Sequence, residues 1–316
     1  MKKDLNSMMC SHRSTIAVVG TGMVGSSFAY AALIRGLAAE IILIDASEER
    51  EQGEVMDLAH GLIGSETGNV RGGQLKDCQQ ADIIVITAGA AQKLGETRLD
   101  LVNKNVGVLK SIIKGMGDLR PSAIVVIVSN PVDILTYMAR KLIRLPENQI
   151  IGTGTSLDTA RFRYLISREL NVNLHNVHGY ILGEHGDSEV PAWSLTTVGG
   201  VKATELLSAA QQKKIFEGTK NAAYQIIQRK QATYYGIGIT IVGLVERIVY
   251  DQKSIVPVSV NPKGLYGIRD ISIGITAVLG VQGIKKVWEL PLSVSEKKKL
   301  VQSAAALKAI LKKIKL

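Results

Sequence analysis

The run Thr15-Ile16-Ala17-Val18-Val19 enters Gly20-Thr21-Gly22-Met23-Val24-Gly25-Ser26-Ser27 and constrains the fold more than any other stretch. An apolar strand, three glycines at Gly-x-Gly-x-x-Gly spacing and a helical run of small and apolar residues follow one another without a break. Gly20 permits the tight turn, Gly22 lets a pyrophosphate approach the backbone, and Gly25 lets the helix pack close to the strand. The N–H groups that open the helix then face the phosphates. A second strand, Ile41-Ile42-Leu43-Ile44, ends in Asp45, twenty residues after Gly25. A carboxylate there accepts ribose hydroxyls of NAD and repels the 2′-phosphate of NADP. Ala46 and Ser47 add no adjacent arginine, so the pattern predicts NAD.

A chain of 316 residues exceeds the usual size of one core, and its 46% hydrophobic content can fill two. Strands predicted at 15–20, 41–45, 82–87, 124–129 and 149–152 alternate with helices, the pattern of right-handed βαβ units in an open, doubly wound parallel sheet. A helix over 157–170 then leads through Val177-His178-Gly179-Tyr180-Ile181 into a mixed α+β region with strands near 255–260 and 276–281. The expected division is an N-terminal arm (1–14), a cofactor-binding domain (15–152) and a catalytic domain (153–316). Cys10 and Cys78 are too few for a disulfide framework, and the first residues lack the apolar region of a signal peptide. The expected compartment is the cytoplasm.

The net charge of +10 raises the question of a nucleic-acid or membrane partner. Much of the excess lies on a closing helix, where Ser293-Val294-Ser295-Glu296 has the form of a capping box. Leu300, Ala304, Leu307, Leu311 and Ile314 recur there at helical spacing, with lysines between them. An apolar stripe on the core and a solvated basic face account for this, without aromatic residues to stack bases. Neither nucleic acid nor membrane is expected as a partner.

Ligands on such sheets bind beyond the carboxyl ends of the strands, and the remaining signals fall there. After Ile83-Ile84-Val85-Ile86-Thr87 comes a polar segment from Ala88 to Leu101 bracketed by Gly89 and Gly95, able to close over a ligand and carry Arg98 with it. Ser129-Asn130-Pro131-Val132-Asp133 puts an amide at the sheet edge, where Asn130 is either a site residue or an N-cap. On the next helix Asp158 and Arg161 share a face, whereas Arg163 sits about 200° round from Arg161 and serves a different site. Gly183-Glu184-His185-Gly186-Asp187 presents one histidine between glycines in a polar turn, the placement for proton exchange near neutral pH. Taken singly, a surface-turn histidine and a surface ion pair remain open.

Taken together, these five motifs resemble in order and approximate spacing those of the L-lactate/malate dehydrogenase family, from about residue 15 to the end. The resemblance implies a Rossmann domain followed by a catalytic domain, NAD as cofactor, no metal, and reversible hydride transfer to a 2-oxo acid. It implies that His185 donates the proton, that Asp158 holds its tautomer, that Arg161 forks onto the substrate carboxylate and that Arg98 polarises the carbonyl. Cofactor contacts are implied for Gly20, Gly22, Met23, Val24, Gly25, Asp45, Arg50, Gly89, Ala90, Ser111, Val128, Ser129, Asn130 and Thr153. Gln92, Asn130 and Thr233 would line the substrate pocket with Arg98, Asp158 and Arg161. Malate-selective members carry arginine where this chain has Gln92, so pyruvate and L-lactate are the implied substrates. Arg163 and His178 match positions that bind fructose 1,6-bisphosphate across a subunit interface in many bacterial members, which implies an allosteric homotetramer. The chain departs from the family pattern at Leu75, Leu94 and Gln231, where tyrosine, proline and glycine are usual.

Overall fold

The computed structural model describes residues 14–90 and 98–314, with Arg98 described by its backbone alone. Residues 1–13, the Gln92 and Leu94 positions and the Arg98 side chain therefore lie outside the described residues. The first half contributes β1 (Thr15–Val19), β2 (Glu40–Ile44), β3 (Asn69–Gly72), β4 (Ile83–Ile86), β5 (Ile124–Ile127) and β6 (Ile150–Gly152). Ile16, Ile41, Ile84 and Val125 are all fully buried, as strands covered by helices on both faces require. All five neighbouring pairs among these strands are parallel. Their order, β3-β2-β1-β4-β5-β6, reverses between β1 and β4 and so opens a crevice at the carboxyl ends of those two strands.

The second half begins with the helix Ser156–Glu169 and continues through the short strands β7 (Val177–His178), β8 (Ile181–Leu182), β9 (Val190–Pro191), β10 (Thr197–Val198) and β11 (Val201–Lys202). The stretch Val177 to Ile181 is thus divided between two small sheets, because β7 pairs with β10 and β8 with β9. Then come β12 (Ser254–Val260), β13 (Ile273–Gly280) and β14 (Gly283–Val287), which join the main sheet antiparallel. The sheet consequently has nine strands, ordered β14-β13-β12-β6-β5-β4-β1-β2-β3, and runs past the end of the parallel part. β12 meets β6 where Ser259 faces Gly152, and a Cβ on Gly154 would come within 2.5 Å of the Ser259 nitrogen. These glycines let the second half seat directly against the first.

A second seam joins helix Met23–Ile34, which follows the glycine turn, to helix Tyr235–Val249. A Cβ at Gly238 would approach Ser27 Cβ to 3.1 Å, so the helices come close there. The closing helix Val294–Leu311 has the predicted cap, with Ser293 and Glu296 bonded reciprocally, and buries Leu300, Ala304 and Leu307. Among the described residues no helix is long and apolar enough to cross a membrane.

Candidate active site

The glycine turn is shaped by contacts that exclude side chains. Gly20 has φ +99° and an added Cβ would lie 2.6 Å from the Ala88 nitrogen, while a Cβ on Gly25 would strike the Gly20 carbonyl oxygen at 1.9 Å. Gly22 has open space instead, so its missing side chain leaves room for a ligand against the backbone. Asp45, at the end of β2, accepts from the Thr21 N–H at 2.7 Å and the Ser47 N–H at 2.9 Å. Partial burial raises its pKa, but these donors, the Thr21 hydroxyl and nearby Arg50 overcome that effect and hold the carboxyl below its ordinary range. Arg50 lies 3.8 Å from Asp45, a proximity that adjacency in sequence does not reveal. An ionised carboxylate is therefore built into the turn itself. The glycines, the open face of Gly22 and the ionised Asp45 fit a nicotinamide dinucleotide.

Gly89, Ala90, Val128, Ser129, Asn130 and Thr153 follow the carboxyl ends of β4, β5 and β6 and share this edge. Asn105, buried on the helix Arg98–Met116, ties two of these loops together. Its amide accepts from Ala90 N–H at 2.7 Å and donates to the Asn130 carbonyl at 2.8 Å. Asn130 also accepts from Val132 N–H at 3.3 Å, so its side chain serves the helix start whatever else it does. Met23 and Val24 open the helix beside the turn, and Ser111 is exposed on the long helix. Leu75 packs against the helix at Gly115, and an added Cβ there would lie 2.4 Å from its Cδ1.

His185 and Asp158 come together across the second half. His185 Nδ1 is 2.6 Å from Asp158 Oδ2, and Arg161 binds the other carboxylate oxygen at 3.0 Å. Two hydroxyls fix this register, since Thr155 donates to the Ile181 carbonyl at 2.6 Å and Thr159 accepts from Ile181 N–H at 2.9 Å. From the opposite side, His185 N–H donates to buried Asp133 at 2.8 Å, and Ser259 on β12 donates to the same carboxylate at 2.5 Å. Gly183, at φ +96°, makes the bend and exchanges two backbone hydrogen bonds with Gly274 on β13. The residue is thus held by both halves, its ring by Asp158 and its backbone N–H by Asp133.

The electrostatics follow from these contacts. Burial alone would lower the His185 pKa, but the charge and hydrogen bond of Asp158, with Asp133 farther off, push it up to about 9. Burial opposes ionisation of Asp158, yet His185 and Arg161 outweigh it and keep the carboxylate charged. Burial pushes Asp133 up to about 6 against the Ser259 and His185 donors. With Nδ1 engaged, Nε2 is the ring nitrogen left for a ligand, and the side chain is 27% exposed. The arrangement can hold a proton on a nitrogen facing a ligand, and it carries a guanidinium beside it.

Arg163 turns to another surface, as the helical spacing predicts. Its Nε donates to the Gly179 carbonyl at 2.9 Å and its guanidinium lies 5.2 Å from the Tyr180 ring centroid, while His178, the residue before Gly179, is exposed. Thr233 is half-buried in the turn between the helices Ala209–Lys230 and Tyr235–Val249. The sequence reading missed Asn105, Asp133, Ser259 and the buried Glu189. Asp133 stood inside a quoted motif, but its partners come from remote segments.

The model for the NAD-binding domain of lactate/malate dehydrogenases matches residues 14–152, and that for their alpha/beta C-terminal domain matches residues 155–316. Fold, cofactor turn and matches together define an NAD-dependent oxidoreductase. The chain is 45% identical to L-lactate dehydrogenase 1 of Clostridium acetobutylicum, covering 95% of this chain and 98% of that protein. It is 42% identical to an L-lactate dehydrogenase of Clostridium botulinum, with coverage of 95% and 97%. Among solved structures, the minor L-lactate dehydrogenase of Enterococcus mundtii in ligands-bound form superposes with a TM-score of 0.93 at 42% identity, covering 96% of this chain and 99% of that one. The chain belongs to the lactate/malate dehydrogenase family.

Proposed function

We propose that this chain is an L-lactate dehydrogenase that reduces pyruvate to L-lactate with NADH, and that residues 15–152 serve the cofactor and 153–316 the substrate. The observation that carries the reading is the 2.6 Å contact between His185 and Asp158, with Arg161 on the same carboxylate. Bound NADH supplies the hydride. His185 gives the proton on Nε2 to the carbonyl oxygen during reduction and takes it back during oxidation. Asp158 fixes the tautomer and favours the imidazolium, and Arg161 presents its remaining N–H groups to the substrate carboxylate. Arg98 polarises the carbonyl, Asn130 stands between nicotinamide and substrate, and Thr233 lines the pocket.

The choice of pyruvate rests on Gln92, a neutral amide where malate-selective relatives have arginine. Burying a second carboxylate without a cation costs several kcal/mol, and each ~1.4 kcal/mol is tenfold in selectivity. The test compares NADH oxidation with pyruvate and with oxaloacetate. Wild type should prefer pyruvate, and Gln92→Arg should move the kcat/KM ratio toward oxaloacetate. A wild type that prefers oxaloacetate sinks the assignment.

Regulation is the finer part of the proposal. Arg163 and His178 bind the phosphates of fructose 1,6-bisphosphate at an interface of a cytoplasmic homotetramer working in lactate fermentation. Support comes from Arg163 lying against the strand that ends at His178, on a surface separate from Arg161. An effector shifts an equilibrium only by its differential affinity for the two states. Fructose 1,6-bisphosphate should therefore lower the pyruvate KM of wild type and leave Arg163→Leu unresponsive. Identical responses from the two proteins would make this surface a structural interface only.

A further inference from the structure

Glu189 follows the His185 turn and leads into β9, where Val190 pairs with Leu182 just upstream of the histidine. Its N–H donates to the Gly186 carbonyl at 3.3 Å, closing the turn. The side chain is 7% exposed, and Oε1 is buried with no hydrogen-bond partner. The charged groups around it are Asp158 and Arg161 from the helix Ser156–Glu169, His185 from the turn, and Lys220 from the helix Ala209–Lys230. The Lys220 ammonium is engaged elsewhere, donating to the Asp187 carbonyl at 2.8 Å.

A carboxyl with a buried, unpaired oxygen beside a carboxylate is far cheaper to keep as the neutral acid than as an anion. Burial first, then the negative charge of Asp158, push Glu189 up to about 8 against the opposing charges of His185, Lys220 and Arg161. The imidazolium and the Arg161 guanidinium attract a monocarboxylate while the Asp158 and Asp133 carboxylates offset them, so an ionised Glu189 would add a further negative charge to the site.

We infer that Glu189 is a positioning residue whose neutral carboxyl, buried beside the His185–Asp158 pair, keeps a further negative charge out of the site that admits a monocarboxylate substrate. The inference rests on the proposed function. Glu189 acts through its neighbours and does not touch the reacting atoms. When it loses its proton, the site weakens toward anionic substrates even where His185 is still protonated.

The test is Glu189→Gln, a neutral isostere, followed by kcat/KM for pyruvate across pH and by infrared difference spectroscopy of the free enzyme. Wild type should lose activity with two protons at alkaline pH, and the variant with one. The two profiles should coincide at about pH 6, and the variant should lead by about tenfold at about pH 9. At about pH 7, above the Asp133 titration, the infrared C=O stretch of a protonated carboxylic acid should be stronger in wild type than in the variant, and that difference should fade as Glu189 titrates. Profiles that stay parallel at every pH would reduce Glu189 to a packing residue and overturn the inference. Acid bands of equal strength in wild type and variant at about pH 7 would overturn it too. A wild type that shows the stronger band yet turns over no pyruvate would sink the proposed function instead, and leave the neutral Glu189 standing.

Discussion

His185 owes its character to one neighbour, because burial and Asp158 pull its proton affinity in opposite directions and the carboxylate wins. Its pKa rises from the ordinary 6.5 to about 9 in the folded protein. The stabilisation from this pairing is therefore fully present below 6.5 and is lost as pH rises through about 9. Asp158→Asn removes the charge and leaves burial unopposed, so the imidazole should titrate at least about one pH unit lower, as NMR of the histidine ring would show. Turnover should fall on the order of 10²–10⁴-fold because the tautomer is no longer enforced. An unshifted ring titration would contradict the account. His185, Asp158 and Arg161 were legible in sequence, since glycines frame the first and helical spacing joins the other two. Asp133 and Asn105 were not, because each is defined by what it bonds across remote segments, and a buried Asp or Asn on a helix reads locally as a cap.

Elements were legible where their signal is local. The capping box of the helix Val294–Leu311 and the apolar runs of β1, β2, β4 and β5 emerge within one or two residues of where the pattern put them. β3, with the sequence Asn-Val-Arg-Gly, carries neither alternation nor an apolar run, and only its parallel pairing with β2 makes it a strand. The short strands β7 to β11 likewise exist through tertiary pairing. Gln231 shows the reverse case, a local departure with a structural consequence. It caps the helix Ala209–Lys230 at φ 66°, a left-handed conformation in which a side chain is strained and glycine is at ease. Gln231→Gly should relieve that strain and, net of the entropy glycine loses on folding, raise stability by about 1 kcal/mol. Thermal or denaturant unfolding would measure it, and a lower midpoint would show that the Gln231 side chain contributes more than its backbone costs.

Across the whole molecule, the division of labour follows the sheet. Its parallel part presents the glycine turn and Asp45 at one edge, while the antiparallel extension β12-β13-β14 carries Ser259 and Gly274, which fix the His185 turn from behind. The sequence predicted two consecutive regions but gave no sign that one sheet runs through both, because the join depends on Gly152 and Gly154 meeting a strand far along the chain. The seam predicts that chemistry and cofactor binding are separable, since the dinucleotide turn makes no use of His185. The measurement that bears most directly on this is His185→Asn assayed for pyruvate reduction and, separately, for NADH affinity by fluorescence titration. Turnover should drop by at least about 10²-fold with NADH affinity nearly unchanged. Near-normal kcat in the variant would contradict the account.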